Sequence, residues 1–120
     1  MLLSAARIHI IALGVTLLSE SCGAMIVARF TGRWRQNIKA VASVVLAVNL
    51  VTHTIFWYIL PMLPGEASLR LLISELVIVI IEGIAYAYCL QCSLWRSWVF
   101  SGFLNWVSYT IGVLIWLQVW

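Results

Sequence analysis

Four apolar runs, at about 8–28, 40–60, 69–90 and 97–118, occupy most of this 120-residue chain. Each is close to the roughly 20 residues that cross a bilayer core. A backbone in hydrocarbon must satisfy its own polar groups, which leaves helices or a closed barrel. Barrel strands are shorter and alternate in polarity, whereas these runs are continuous, so they read as helices. Composition agrees. Hydrophobic residues make up 64% of the chain and charged residues 9%, where a soluble domain carries roughly 25% charged. Mean hydropathy is +1.07. The expectation is an all-α, polytopic membrane protein: four transmembrane helices in one domain, 1–120, with no soluble domain.

The breaks fit that reading. Pro61-Met62-Leu63-Pro64-Gly65 cannot continue a helix and ends the second span. Thr31-Gly32-Arg33 separates the first two spans. The first run has an Arg and an apolar core, as a signal peptide does. It continues past Cys22, however, and Ser19-Glu20-Ser21-Cys22 is a poor lipoprotein cleavage site, so it reads as a retained helix. Arg29, Arg33, Arg35 and Lys39 cluster between spans one and two, and Arg96 lies between spans three and four. Only Arg7 and Arg70 belong to the opposite side. That asymmetry places both hairpin loops in the cytoplasm and both termini outside, in a bacterial-type inner (plasma) membrane. The basic cluster suits anionic lipid heads. No basic domain projects for nucleic acid. The expected partners are the lipid bilayer and either further copies, as a homo-oligomer, or other transmembrane subunits.

One polar phrase is written twice. Asn49-Leu50-Val51-Thr52-His53-Thr54 is echoed 56 residues later by Asn105-Trp106-Val107-Ser108-Tyr109-Thr110. Upstream, Leu17-Leu18-Ser19-Glu20 resembles Leu71-Leu72-Ile73-Ser74-Glu75 at an offset of 55. Two matches at nearly one offset suggest a duplicated two-helix hairpin, with units 1–60 and 61–120; chance similarity between apolar segments is the alternative. Two helices per unit insert both copies the same way up, which sets a pseudo-two-fold axis along the membrane normal.

Helical spacing turns the polar residues inward. Ser97, Ser101, Asn105, Ser108 and Gly112 share one face of span four. Ala42, Leu46, Asn49 and His53 share a face of span two, and Thr16, Glu20, Gly23 and Val27 one of span one. In span three the face carries Glu75, Ile78, Glu82, Tyr86 and Cys89. Helices in lipid associate through small residues and interhelical hydrogen bonds. That role by itself accounts for Asn49, Asn105, Thr52 and Ser108.

Three glutamates ask for more. An acidic residue at a helix centre costs roughly 2.5–3.5 kcal/mol to insert. The chain carries Glu20, Glu75 and Glu82 within its spans. A protonated carboxyl donates to Asn or Ser and holds helices together; one that exchanges its proton or pairs with a cation is a site. Glu82 lies deepest in span three and is the leading candidate. No basic residue lies deep in any span, so an ionised carboxyl there needs a cation, a ligand or another chain. His53, beside Asn49 and Thr52, suits a proton relay or a helix contact. His9 and His53 sit at different depths, which argues against a haem between them.

Cys89-Leu90-Gln91-Cys92 has the spacing of redox and metal sites. It falls on the cytoplasmic side, where thiols stay reduced, and adding Cys22 leaves it short of a four-ligand zinc site. Small packing residues are the simpler reading, and no cofactor or metal is expected. Trp34, Trp57, Trp95, Trp98, Trp116 and Trp120 lie near span ends, where tryptophan favours the interface. Trp106 does not. Phosphate-binding and hydrolase motifs are absent.

The expected function is to bind or translocate a proton, cation or small cationic solute through a seam of Glu20, Glu75, Glu82, Asn49, His53 and Asn105. The alternative is an accessory subunit whose polar residues bind the helices of a larger complex. A membrane enzyme using the carboxyls as acid and base ranks third, because no nucleophile accompanies them.

Overall fold

A computed structural model of the chain describes the backbone of residues 2–32 and 34–119, and the side chains of residues 7–32 and 34–115. Arg33 of the basic cluster, and the side chains of Trp116 and Trp120, lie outside the described residues. The described residues form four helices, α1 (Leu2–Phe30), α2 (Ile38–Ile59), α3 (Ala67–Cys89) and α4 (Leu94–Val119), with short 3-10 turns at Arg35–Asn37 and Leu60–Met62. All four are long and apolar enough to cross a membrane. Each packs on its neighbours in the chain, and α1 closes the ring against α4. The result is an up-down-up-down bundle of 47 × 29 × 20 Å.

The helix ends follow from local chemistry. At the end of α1 the Thr31 amide and hydroxyl both donate to the Val27 carbonyl, at 3.0 and 2.8 Å. After α2, Pro61 is taken into a 3-10 turn and Leu63 turns extended, as the residue before Pro64 must. Gly65 follows at φ 102°, a conformation that favours glycine. Between α3 and α4 the reversal takes only four residues. Gln91 adopts φ 50°, and the Cys92 amide returns to the Ala87 carbonyl at 3.2 Å. This is a Schellman-type ending with glutamine where glycine is usual.

The bundle has two unlike halves. Toward the 31–37 and 90–93 connections, Ala24, Ala28, Val41, Val45, Tyr86, Phe100 and Leu104 form a buried apolar core. Phe100 meets Trp34 and Tyr86 with ring centroids 5.0 and 5.5 Å apart. Outside that core a surface recess of about 500 Å³ opens near Arg96. Small residues set the spacing. A Cβ on Gly83 would collide with the Trp98 indole, so glycine here lets α4 lay Trp98 across α3, where its Nε1 donates to the Ile80 carbonyl at 3.3 Å. Trp98 is thus a helix-to-helix contact. At the opposite end the helices part around a cavity of about 630 Å³.

Large apolar side chains cover the outside, among them Ile10, Leu18, Val51, Tyr58, Leu72, Ile84 and Trp106. The buried interior holds Glu20, Asn49, Thr52, Glu82, Ser97, Ser101, Asn105 and Ser108. Two assignments to the inward seam change. Leu46 is 45% exposed, and the inward face of α2 is Val41, Val45, Asn49 and Thr52. Cys89 is exposed at the end of α3.

Candidate functional site

The centre of the bundle is polar and draws on all four helices. Glu82 of α3 is its hub. Its Oε1 accepts from Thr52 Oγ1 at 2.6 Å. Its Oε2 accepts from Asn105 Nδ2 at 2.7 Å and from Ser101 Oγ at 3.3 Å. Both carboxylate oxygens are therefore satisfied, by donors from α2 and α4. The Glu20 carboxyl of α1 is held less completely. Ser108 Oγ donates to its Oε1 at 3.0 Å, and its Oε2, although buried, has no hydrogen-bond partner. His53 stands between the two carboxyls. Its Nε2 is 3.8 Å from Glu20 Oε1 and 3.8 Å from Glu82 Oε1.

The two asparagines are held alike. Asn49 Nδ2 donates to the carbonyl one turn back, Val45, at 3.0 Å, and Asn105 Nδ2 does the same to Ser101 at 3.0 Å. Three residues on, the Thr52 hydroxyl returns to the Asn49 carbonyl at 3.3 Å, and the Ser108 hydroxyl to the Asn105 carbonyl at 3.1 Å. Each hydroxyl also reaches a carboxyl of the other hairpin: Thr52 reaches Glu82, and Ser108 reaches Glu20. The buried positions 41, 45, 49 and 52 of α2 recur at 97, 101, 105 and 108 of α4, a constant offset of 56. Asn49 Nδ2 makes one further bond, to Tyr86 Oη at 2.8 Å. The Oδ1 atoms of Asn49 and Asn105 are buried without partners.

Of the six residues singled out by sequence, Glu20, Glu82, Asn49, His53 and Asn105 come together here. Glu75 does not join them. It sits two turns from Glu82 along α3 and is half-buried on the cavity wall. Sequence spacing matches Glu20 with Glu75, while the hydrogen bonds set Glu20 opposite Glu82. The sequence accounts for Thr52 and Ser108 as helix packing, and it puts Ser101 and Tyr86 on the inward faces without marking them as site residues. The signal for the first two was present, a hydroxyl residue three places after each Asn. Tyr86 lay on the Glu82 face, one turn on.

His53 and Ser108 belong to the centre and also line the cavity. The cavity walls are mostly apolar, with Ile11, Phe56, Leu71 and Val113 among them. Near its mouth His9 stacks on Trp57, ring centroids 4.3 Å apart. Among the described residues no three His, Cys, Asp or Glu side chains are grouped as a metal site requires. Set against known proteins, the chain matches no protein-family model, no curated protein and no solved structure.

Proposed function

We propose that this is a small multi-pass integral membrane protein whose central cluster binds and passes a proton, cation or small cationic solute. The observation that carries the reading is the pair Glu20 and Glu82, two buried carboxyls 3.8 Å to either side of His53 Nε2 at the foot of an open cavity. Intramembrane carboxyls are costly to retain, and they mark ion and proton pathways. Glu75, on the cavity wall, stands on the approach.

Membrane insertion is supported by the apolar exterior and by the four spans. Arg29, Arg35, Lys39 and Arg96 at the loop end suit a cytoplasmic face on an inner (plasma) membrane. A duplicated hairpin is supported by the constant offset of 56 along α2 and α4 and by the exchange of hydroxyl bonds between hairpins. Passage requires the loop-side core to part, or a homo-oligomer to complete the route. An accessory-subunit role is weaker, because the polar side chains are turned inward and bond to one another rather than facing a partner helix.

Flux of protons and small cations into liposomes loaded with a pH-sensitive dye tests the reading. Wild-type protein carries flux, and Glu82→Gln abolishes it while migrating as the same assembly. Undiminished flux through Glu82→Gln sinks the assignment. Loss of a stoichiometric co-purifying protein in that variant makes the chain a subunit instead.

A further inference from the structure

The cluster is short of donors. Glu20 Oε2, Asn49 Oδ1 and Asn105 Oδ1 are buried acceptors without a partner, and His53 Nε2, 3.8 Å from two carboxyls, makes no hydrogen bond either. Glu20 and Asn49 are wholly buried and Asn105 is 4% exposed. Leaving a buried polar atom unpaired is costly, so three unpaired acceptors in one region point to a ligand rich in hydrogen-bond donors. No described basic side chain supplies them. Arg70 lies at the other connection, where its Nη1 donates to the Pro61 carbonyl at 3.3 Å and its Nε makes no hydrogen bond.

The approach selects what can arrive. Its cavity, about 630 Å³, falls in the range of about 300–1,000 Å³ typical of small-molecule sites and far exceeds the roughly 30 Å³ a water occupies. Apolar walls suit a hydrocarbon body better than a hydrated ion. At the floor stand Ser108 and His53, with the Glu20 carboxyl one hydrogen bond behind Ser108. Asn49 also reaches Glu20 from α2, although its amide nitrogen makes its short bonds to Val45 and Tyr86.

We propose that the cavity takes a small amphipathic primary amine, its apolar body between the helices and its ammonium group on the Glu20 carboxylate. A primary ammonium brings three donors and a positive charge, which matches the unpartnered acceptors. Glu82, with both oxygens already satisfied, positions α2, α3 and α4 around the site and does not hold the ligand. The inference rests on the reading of this centre as a cation site and narrows it to one chemical class and one carboxyl.

Three probes with a common body test it by calorimetry on the full chain in lipid nanodiscs, with empty nanodiscs as the blank: 2-phenylethylammonium, its N,N,N-trimethyl analogue and 2-phenylethanol. The primary amine binds one per chain. The trimethyl compound keeps the charge and loses every N–H, and the alcohol loses the charge. Each binds at least about tenfold more weakly, the factor carried by about 1.4 kcal/mol of charge-assisted hydrogen bonding. Glu20→Gln weakens the primary amine by about tenfold or more, while Glu66→Gln, at an exposed acid outside the cavity, changes it by no more than about threefold. Equal binding of the amine and its trimethyl analogue overturns the proposal, as does loss of binding in Glu75→Gln with Glu20→Gln unaffected. Should Glu20→Gln not fold, the three-probe comparison on the wild type decides alone. Proton flux that depends on Glu82 with no amine binding refutes this inference and leaves the broader reading standing. Amine binding without flux of any kind does the reverse.

Discussion

The loop half and the cavity half of the bundle are made from the same four helices, yet only one is filled. In the loop half, Ala24 and Ala28 let α1 approach closely, and Leu104, Phe100 and Tyr86 fill what remains. In the cavity half, a Cβ on Gly14 or Gly112 would meet nothing within 4 Å. Small residues therefore do opposite things at the two ends. Opposite a large side chain they allow contact, and where nothing stands against them they leave space. The polar centre lies between the halves and is open to one side only, which is the geometry of a binding site before it is the geometry of a channel.

Matched truncations break or confirm this contrast. Leu104→Ala removes a wholly buried side chain from the filled half and is expected to cost about 3 kcal/mol. Leu13→Ala, on the cavity wall, enlarges a space that is already open and costs less than about 1 kcal/mol. Thermal unfolding in mild detergent reads both, and similar losses would mean that the halves are packed alike. A second pair compares the carboxyls. Glu82→Ala forfeits three interhelical hydrogen bonds at roughly 0.6–1 kcal/mol each, about 2–3 kcal/mol in all. Glu20→Ala forfeits one such bond and removes an unpartnered acceptor, so its cost stays below about 1 kcal/mol. An equal penalty for the two would contradict the division into a positioning carboxyl and a binding one.

Smaller effects sharpen the picture. Gly83→Ala drives a methyl into the Trp98 indole and is expected to lower stability by about 1–3 kcal/mol, with a changed tryptophan emission as α4 shifts. Gln91→Gly relieves a left-handed glutamine and raises stability by about 0.5–1 kcal/mol, visible as a modest increase in melting temperature. An unchanged or lower melting temperature would show that the reversal between α3 and α4 carries no strain.

The spans were legible in the sequence because length and hydropathy suffice to mark them, and the breaks at Thr31-Gly32 and Pro61 to Gly65 fall where the helices stop. The inward face of α4 was legible too, since four of its residues are polar against an apolar background. The face of α2 was legible only in part. Asn49 marks it, but with outward and inward residues both aliphatic, hydropathy cannot separate Val45 from Leu46. Repeat spacing matched Glu20 with Glu75 because α1 and α3 lack the constant offset that relates α2 to α4. The cavity left no trace in the sequence. It depends on side chains that fail to meet, and periodicity records only which face a residue occupies.

The bond from Ser108 to Glu20 joins positions 88 apart. Synthesis delivers α1 long before α4, so Glu20 is made well ahead of the hydroxyl that will hold it. Until α4 is in place the Glu20 carboxyl has His53 beside it but no hydroxyl donor, and Glu82 keeps Thr52 while it waits for Ser101 and Asn105. The last helix supplies the Ser108 hydroxyl to Glu20 and two of the three donors to Glu82, so a chain that stops short of it has the carboxyls of the centre without most of what holds them.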